Sequence, residues 1–133
     1  MSAYTLLEAA CQGNIHEVLR LLDVNNIDVN STGRGYWEGR SALGVAARWG
    51  YSDIVSLLLD RGADANAPDD VYGSALGAAT WIGHEGIVSM LLDRGADVNS
   101  SDGDNRPALS EAARRGHMEI VSILLDQGAD VNR

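Results

Sequence analysis

The stretch Gly83–Asn99, "GHEGIVSMLLDRGADVN", returns 33 residues later at Gly116–Asn132 as "GHMEIVSILLDQGADVN". The likeness extends upstream and to a third copy. "SALGVAARWGYSDIVSLLLDRGADAN" begins at Ser41, "SALGAATWIGHEGIVSMLLDRGADVN" at Ser74 and "PALSEAARRGHMEIVSILLDQGADVN" at Pro107. Gly50, Gly83 and Gly116 keep the 33-residue interval, as do Gly62, Gly95 and Gly128. A fixed period of this length identifies a stacked-repeat architecture. A degenerate copy, "LLEAACQGNIHEVLRLLDVNNIDVN", leads from Leu6.

Each copy reads as a helix, a turn, a second helix and an extended finger. Ser41 and Ser74 suit the N-cap, where a hydroxyl accepts from otherwise unpaired backbone N–H groups. Pro107 suits the opening of a helix, where its missing N–H would have no partner anyway. Leu-x-x-Ala-Ala then sets one large anchor before two small residues, so that a second helix can approach closely. The break glycines Gly50, Gly83 and Gly116 end this helix in a conformation suited to a tight turn. "IVSLLLD" and its relatives place Ile, Val and Leu on a broad apolar stripe at helical spacing. Gly-Ala-Asp-x-Asn closes the second helix, with Asp64, Asp97 and Asp130 placed to satisfy turn donors rather than to act as acids.

This pattern resembles that of the ankyrin-repeat family over nearly the whole chain. The resemblance implies an all-α ankyrin-repeat solenoid of stacked helix-turn-helix units with projecting β-turn fingers. It implies one domain over 1–133, with repeats near 4–36, 37–69, 70–102 and 103–133. One departure concerns the family's Thr-Pro-Leu-His, which is Ser-Ala-Leu-Gly at Ser41 and Ser74 and Pro-Ala-Leu-Ser at Pro107. The His that ties neighbouring turns is missing, and looser finger anchoring is expected. His84 and His117 stand where the family's His makes helix-start hydrogen bonds, which implies a structural role for both.

A stack of identical units leaves an apolar face at each end, so terminal repeats should be polarised. The first copy is: Glu17 stands where later copies have Ile54, Ile87 and Ile120, and Arg20 where they have Leu57, Met90 and Ile123. The last is not, since Val121 and Leu125 match Val55 and Leu59 without polar replacement. An exposed apolar strip is expected there, consistent with a fragment of a longer array or with end-to-end self-association.

The period breaks once. Gly13 to Gly50 is 37 residues, four more than the interval elsewhere. One extra residue falls near Asn26 and three fall in the finger over 31–40, "STGRGYWEGR". Insertions of this kind go to loops on one face, often the binding face. The family resemblance places partner-contacting positions on finger tips and on the last residues of each first helix. Projected onto this chain, the helix rows are Arg48, Trp81, Arg114 and Trp49, Ile82, Arg115. The first finger offers Tyr36, Trp37, Glu38 and Arg40, the second Asp70, Val71 and Gly73, and the third Gly103, Asp104 and Arg106. This surface gathers all three Trp and five of the ten basic residues, every one of which is Arg. Trp and Arg are enriched at binding hot spots, and Trp81 between Arg48 and Arg114 is positioned for cation–π contacts. In the opposing reading, the Trp49 and Trp81 indoles pack onto the next repeat and the Arg side chains pair with Glu8, Glu111 or Asp104.

Composition is globular, 45% apolar and 22% charged over 133 residues, with no Phe, so the core is built from Leu, Ile, Val and Ala. A net charge of −9 argues against nucleic acid and anionic membranes as partners, because the mean field repels phosphate. A lone cysteine, Cys11, excludes an internal disulfide and fits a reducing, intracellular compartment. The first residues carry no basic-then-apolar secretory pattern, and no run reaches membrane-spanning length.

No catalytic constellation is evident. Cys11 and His16 lack an orienting third group, His84 and His117 lack accompanying metal ligands, and "TGRGYWEG" lacks the Lys and strand of a phosphate loop. No cofactor or metal is expected. The expected function is a non-catalytic module binding a protein or peptide partner with acidic and apolar side chains. The alternatives are a small-molecule site or enzyme in the same groove, lidded by the long finger with Glu8, Glu111, Cys11 and His16 as candidate groups, or a purely structural segment of a longer array.

Overall fold

The computed structural model describes residues 3–33, 38–101 and 106–131. Among these, eight helices pair into four antiparallel hairpins: α1 (Ala3–Cys11) with α2 (Ile15–Asp23), α3 (Ala42–Trp49) with α4 (Ser52–Asp60), α5 (Ala75–Ile82) with α6 (Glu85–Asp93), and α7 (Ala108–Arg114) with α8 (Met118–Asp126). The first helices stack in the row α1, α3, α5, α7 and the second helices in the row α2, α4, α6, α8. The expected all-α solenoid is the observed fold. Isolated bridges such as Thr32 with Ser41 and Asp69 with Gly73 close the fingers, and the described residues form no strand.

The repeat chemistry explains the stack. Ser41 Oγ and Ser74 Oγ accept from the N–H of Gly44 and Gly77 at 3.2 and 3.0 Å. Small residues Ala46, Ala79 and Ala112 are fully buried where the hairpins meet, and Ile54, Leu58, Ile87, Leu91, Ile120 and Leu124 fill the second-helix row. After each first helix a glycine takes the left-handed region, and the next N–H reaches back to that Ala: Tyr51 to Ala46, His84 to Ala79 and His117 to Ala112, at 2.9–3.1 Å. At the far turn, Asn66 Nδ2 donates to the Gly95 carbonyl while its Oδ1 accepts from the Asp97 N–H; Asn30 does the same to Gly62 and Asp64. Asp64 and Asp97 accept from Asn66 and Asn99 N–H, as the turn reading requires.

The residues that follow the break glycines pack differently from the expectation. His84 and His117 occupy the N-cap positions of α6 and α8, but neither side chain makes a capping hydrogen bond; His117 Nε2 lies 3.4 Å from the Trp81 carbonyl oxygen. Each imidazole lies instead against the glycine of the preceding hairpin, His84 on Gly50 and His117 on Gly83, just as Tyr51 lies on Gly13. A Cβ on Gly50 would come within 2.6 Å of the His84 ring, so the glycine is required by contact as well as by its φ of +80°. Gly116 has the same backbone sign, with open space where the ring would sit.

The ends differ as the sequence suggests. Glu17 and Arg20 pair with each other on the first hairpin, and the hydrogen bond from Arg20 holds the Glu17 carboxyl below the usual carboxylate range. On α8, Leu125 is 44% exposed, whereas its equivalents Leu59 and Leu92 are 8% and 9% exposed. Asn26, where one inserted residue was placed, has the one positive φ among the described non-glycine residues, 53°.

Candidate binding face

The face is built from the fingers upward. Asp69, at the start of the second finger, is nearly sealed from solvent. Its Oδ1 accepts from the N–H groups of Val71 and Tyr72 at 2.8 and 2.9 Å, fixing the finger's turn, and its Oδ2 accepts from Arg40 Nε at 2.6 Å. Asp70 N–H donates to the Gly39 carbonyl at 3.3 Å, which adds a second tie between the fingers. Gly44 and Gly77, where the family carries His, sit directly under this structure. A Cβ on Gly77 would lie 2.0 Å from the Tyr72 carbonyl oxygen. The missing His therefore does not loosen the finger; its absence lets the finger close down onto the helix.

With the turn fixed, Tyr72 points over the first-helix row. Its hydroxyl accepts from Arg48 Nε at 2.7 Å, and its ring lies 5.9 Å from the Trp81 ring at 53°. Arg48 also covers Trp49, with Cζ 4.5 Å from the ring centroid, while Trp49 stays half exposed. Arg115 lies 3.2 Å over Trp81, held by a 2.6 Å hydrogen bond from its Nε to Glu111 Oε1, one helical turn back. The result is a continuous chain, Trp49–Arg48–Tyr72–Trp81–Arg115–Glu111, running across three hairpins.

This arrangement corrects one pairing. Trp81 was expected between Arg48 and Arg114, but Arg115 takes its face and Arg48 turns to Tyr72 and Trp49. Arg114 reaches Glu111 instead, with Nη1 3.7 Å from Oε2, and Arg106 Nη1 lies 3.8 Å from the same oxygen. Glu111 is 2% exposed, beneath these guanidinium groups. The opposing reading thus holds for the Arg–Glu111 pairing, while the Trp49 and Trp81 indoles are not sealed between helices. Ile82 lines the same edge, Glu38, Asp70 and Val71 are exposed on the fingers, and Arg40 is turned inward to Asp69. Tyr36, Trp37 and Asp104 lie outside the described residues.

Sequence reasoning missed Tyr72 and Asp69, and it offered Glu111 as a pairing partner and candidate acid rather than as the hub it is. An aromatic residue beside the Arg rows was the available signal for Tyr72. An open cleft of about 530 Å³ lies between α5 and α7, lined by Trp81, Ile82, Arg114, Arg115 and His117. Among the described residues no group of three or more His, Cys, Asp or Glu is placed to hold a metal ion, and no helix is long and apolar enough to cross a membrane.

A scaffold of stacked helical hairpins repeated at a fixed interval defines a helical-repeat protein. The model of the family described as ankyrin repeats matches residues 3–69 and 72–133, and the chain belongs to that family. Ankyrin repeats generally serve as protein–protein interaction modules and are typically non-enzymatic. Cortactin-binding protein 2 of Rhinolophus ferrumequinum and that of Equus caballus are each 39% identical to this chain over 64 residues, 48% of its length. The match spans 4% of those much longer relatives.

Proposed function

We propose that this chain is a non-catalytic interaction module that holds a protein or peptide partner on its Trp/Arg face. The partner presents acidic side chains to the Arg rows and apolar ones to Trp49 and Trp81. The observation that carries this reading is the continuous run of stacked cations and rings from Trp49 to Arg115. It is ordered before any partner arrives, which lowers the entropic cost of association, and it leaves Trp49 half exposed, a placement that suits a binding hot spot. The finger residues Glu38, Asp70, Val71 and Arg106 form the rim in this reading, while Arg40 braces the fingers from within. The lone Cys11 fits an intracellular setting.

The test is affinity capture from the native source with the unaltered chain and with Trp49→Ala and Arg114→Ala variants. A specific protein retained by the unaltered chain and lost with both variants supports the reading. Identical capture by all three overturns it.

A further inference from the structure

We propose that the cleft between α5 and α7 is an anion pocket that seats the carboxylate of an acidic partner side chain on Arg115, with Glu111 as the residue that positions it. This rests on the reading of the concave face as a peptide-binding surface and names the chemistry of one subsite within it.

The argument begins with the geometry of Arg115. Its Nε is committed to Glu111 at 2.6 Å, and its planar group is pressed onto the Trp81 ring at 3.2 Å. Neither terminal amine donates a hydrogen bond among the described residues. An Arg held flat with an open fork matches the two oxygens of a carboxylate. Arg114 adds a second cation at the cleft, 58% exposed and tied to Glu111 only at 3.7 Å, so it can swing toward an incoming anion. His117 completes the polar side, and Ile82 with the Trp81 edge supplies an apolar wall. In a chain of net charge −9 this cleft carries the opposite local sign, which favours an anionic occupant over a neutral one.

Glu111 makes the pocket possible without occupying it. It stands where the second and third copies carry Val45 and Ala78. At 2% exposure it is a buried carboxylate with Oε1 engaged and Oε2 without a hydrogen bond. Buried, it cannot meet the partner, but it fixes the angle of Arg115. Without it, the guanidinium loses its anchor and leaves the indole. The fork pairs with two oxygens of a carboxylate or of a phosphate alike, and the apolar wall of Ile82 and the Trp81 edge favours the carboxylate of a peptide side chain.

The experiment uses the full chain, labelled with ¹⁵N, titrated with a capped tetrapeptide of two Glu and two Leu and with its Gln counterpart. The Glu peptide is expected to shift the Arg114 and Arg115 Nε–H signals and the Trp81 indole N–H. The Gln peptide is expected to bind roughly tenfold more weakly, about one charge-assisted contact. Arg115→Lys keeps the charge and removes the fork, and it should lose this tenfold preference with the thermal midpoint unchanged. Glu111→Gln should move the Trp81 indole signal even without peptide and reduce the preference to the same degree.

Equal binding of both peptides on the concave face overturns the anion pocket while leaving the interaction-module reading intact. Shifts confined to residues away from that face, or no shift at all, overturn both. Inorganic phosphate displacing the Glu peptide more effectively than acetate at equal concentration overturns the choice of carboxylate. A preference fully retained in Arg115→Lys overturns the role of the fork.

Discussion

Arg40 Nε stands 2.6 Å from Asp69 Oδ2, so an ion pair closed to solvent on its acidic side braces the first finger against the second. Removing one partner of such a pair leaves an uncompensated charge, which costs about 3–5 kcal/mol. Asp69→Ala also strips two backbone donors of their acceptor. The variant is expected to fall in that range by urea unfolding. Arg40→Ala added to it should cost much less than Arg40→Ala alone, as a double-mutant cycle would report.

Two helical glycines should respond to alanine with opposite signs. Gly86, in α6, has open space around the position of a Cβ, so Gly86→Ala should stabilise the fold by about 0.5–1 kcal/mol. Gly77, in α5, faces the Tyr72 carbonyl at 2.0 Å, and backbone cannot step aside as a side chain can. Gly77→Ala is expected to destabilise by about 1–3 kcal/mol despite the better helix propensity. Thermal midpoints of the two variants check the reversal.

The ring-on-glycine contacts give a third comparison. Gly50→Ala meets both left-handed strain and the His84 imidazole, whereas Gly116→Ala meets the strain alone. Gly116→Ala should cost about 1–2 kcal/mol and Gly50→Ala measurably more. Combining Gly50→Ala with His84→Ala should cost less than the sum of the two single changes, because the ring that obstructs the methyl is gone.

Acid should unmake the Glu17–Arg20 pair. The folded-state value of Glu17 is depressed, chiefly by the hydrogen bond from Arg20. Its contribution to stability is therefore fully present above the ordinary glutamate range and lost as pH falls through the depressed folded value. Glu17→Gln should be slightly less stable than the parent chain at neutral pH and equal to it in strong acid. Denaturation curves collected from pH 7 downward, at low salt, would show the two converging.

The repeat made the architecture legible, because a 33-residue interval of Gly, Ala and apolar stripes admits few solutions. It also located the Arg and Trp rows, since an interval in sequence becomes adjacency in a stack. It could not choose between Arg114 and Arg115 as the cover of Trp81. That choice depends on Glu111 lying one helical turn before Arg115, a side-chain matter below the resolution of the period. Tyr72 and Asp69 were hidden for a related reason: finger residues follow no helical spacing, and their directions come from hydrogen bonds. Gly44 and Gly77 were visible as a departure from the family pattern, but only the close approach of the finger gives their meaning.

The cleft beside Trp81 straddles the seam between the third and fourth hairpins, and that location has a mechanical consequence. In a linear stack each unit is held through the seams it shares with its neighbours, and opening proceeds seam by seam. Whatever bridges Trp81 to Arg114 and Arg115 acts as a latch across this seam. Amide protons of α7 and α8 should then exchange more slowly when the cleft is filled, while those of α1 and α2 keep their pace.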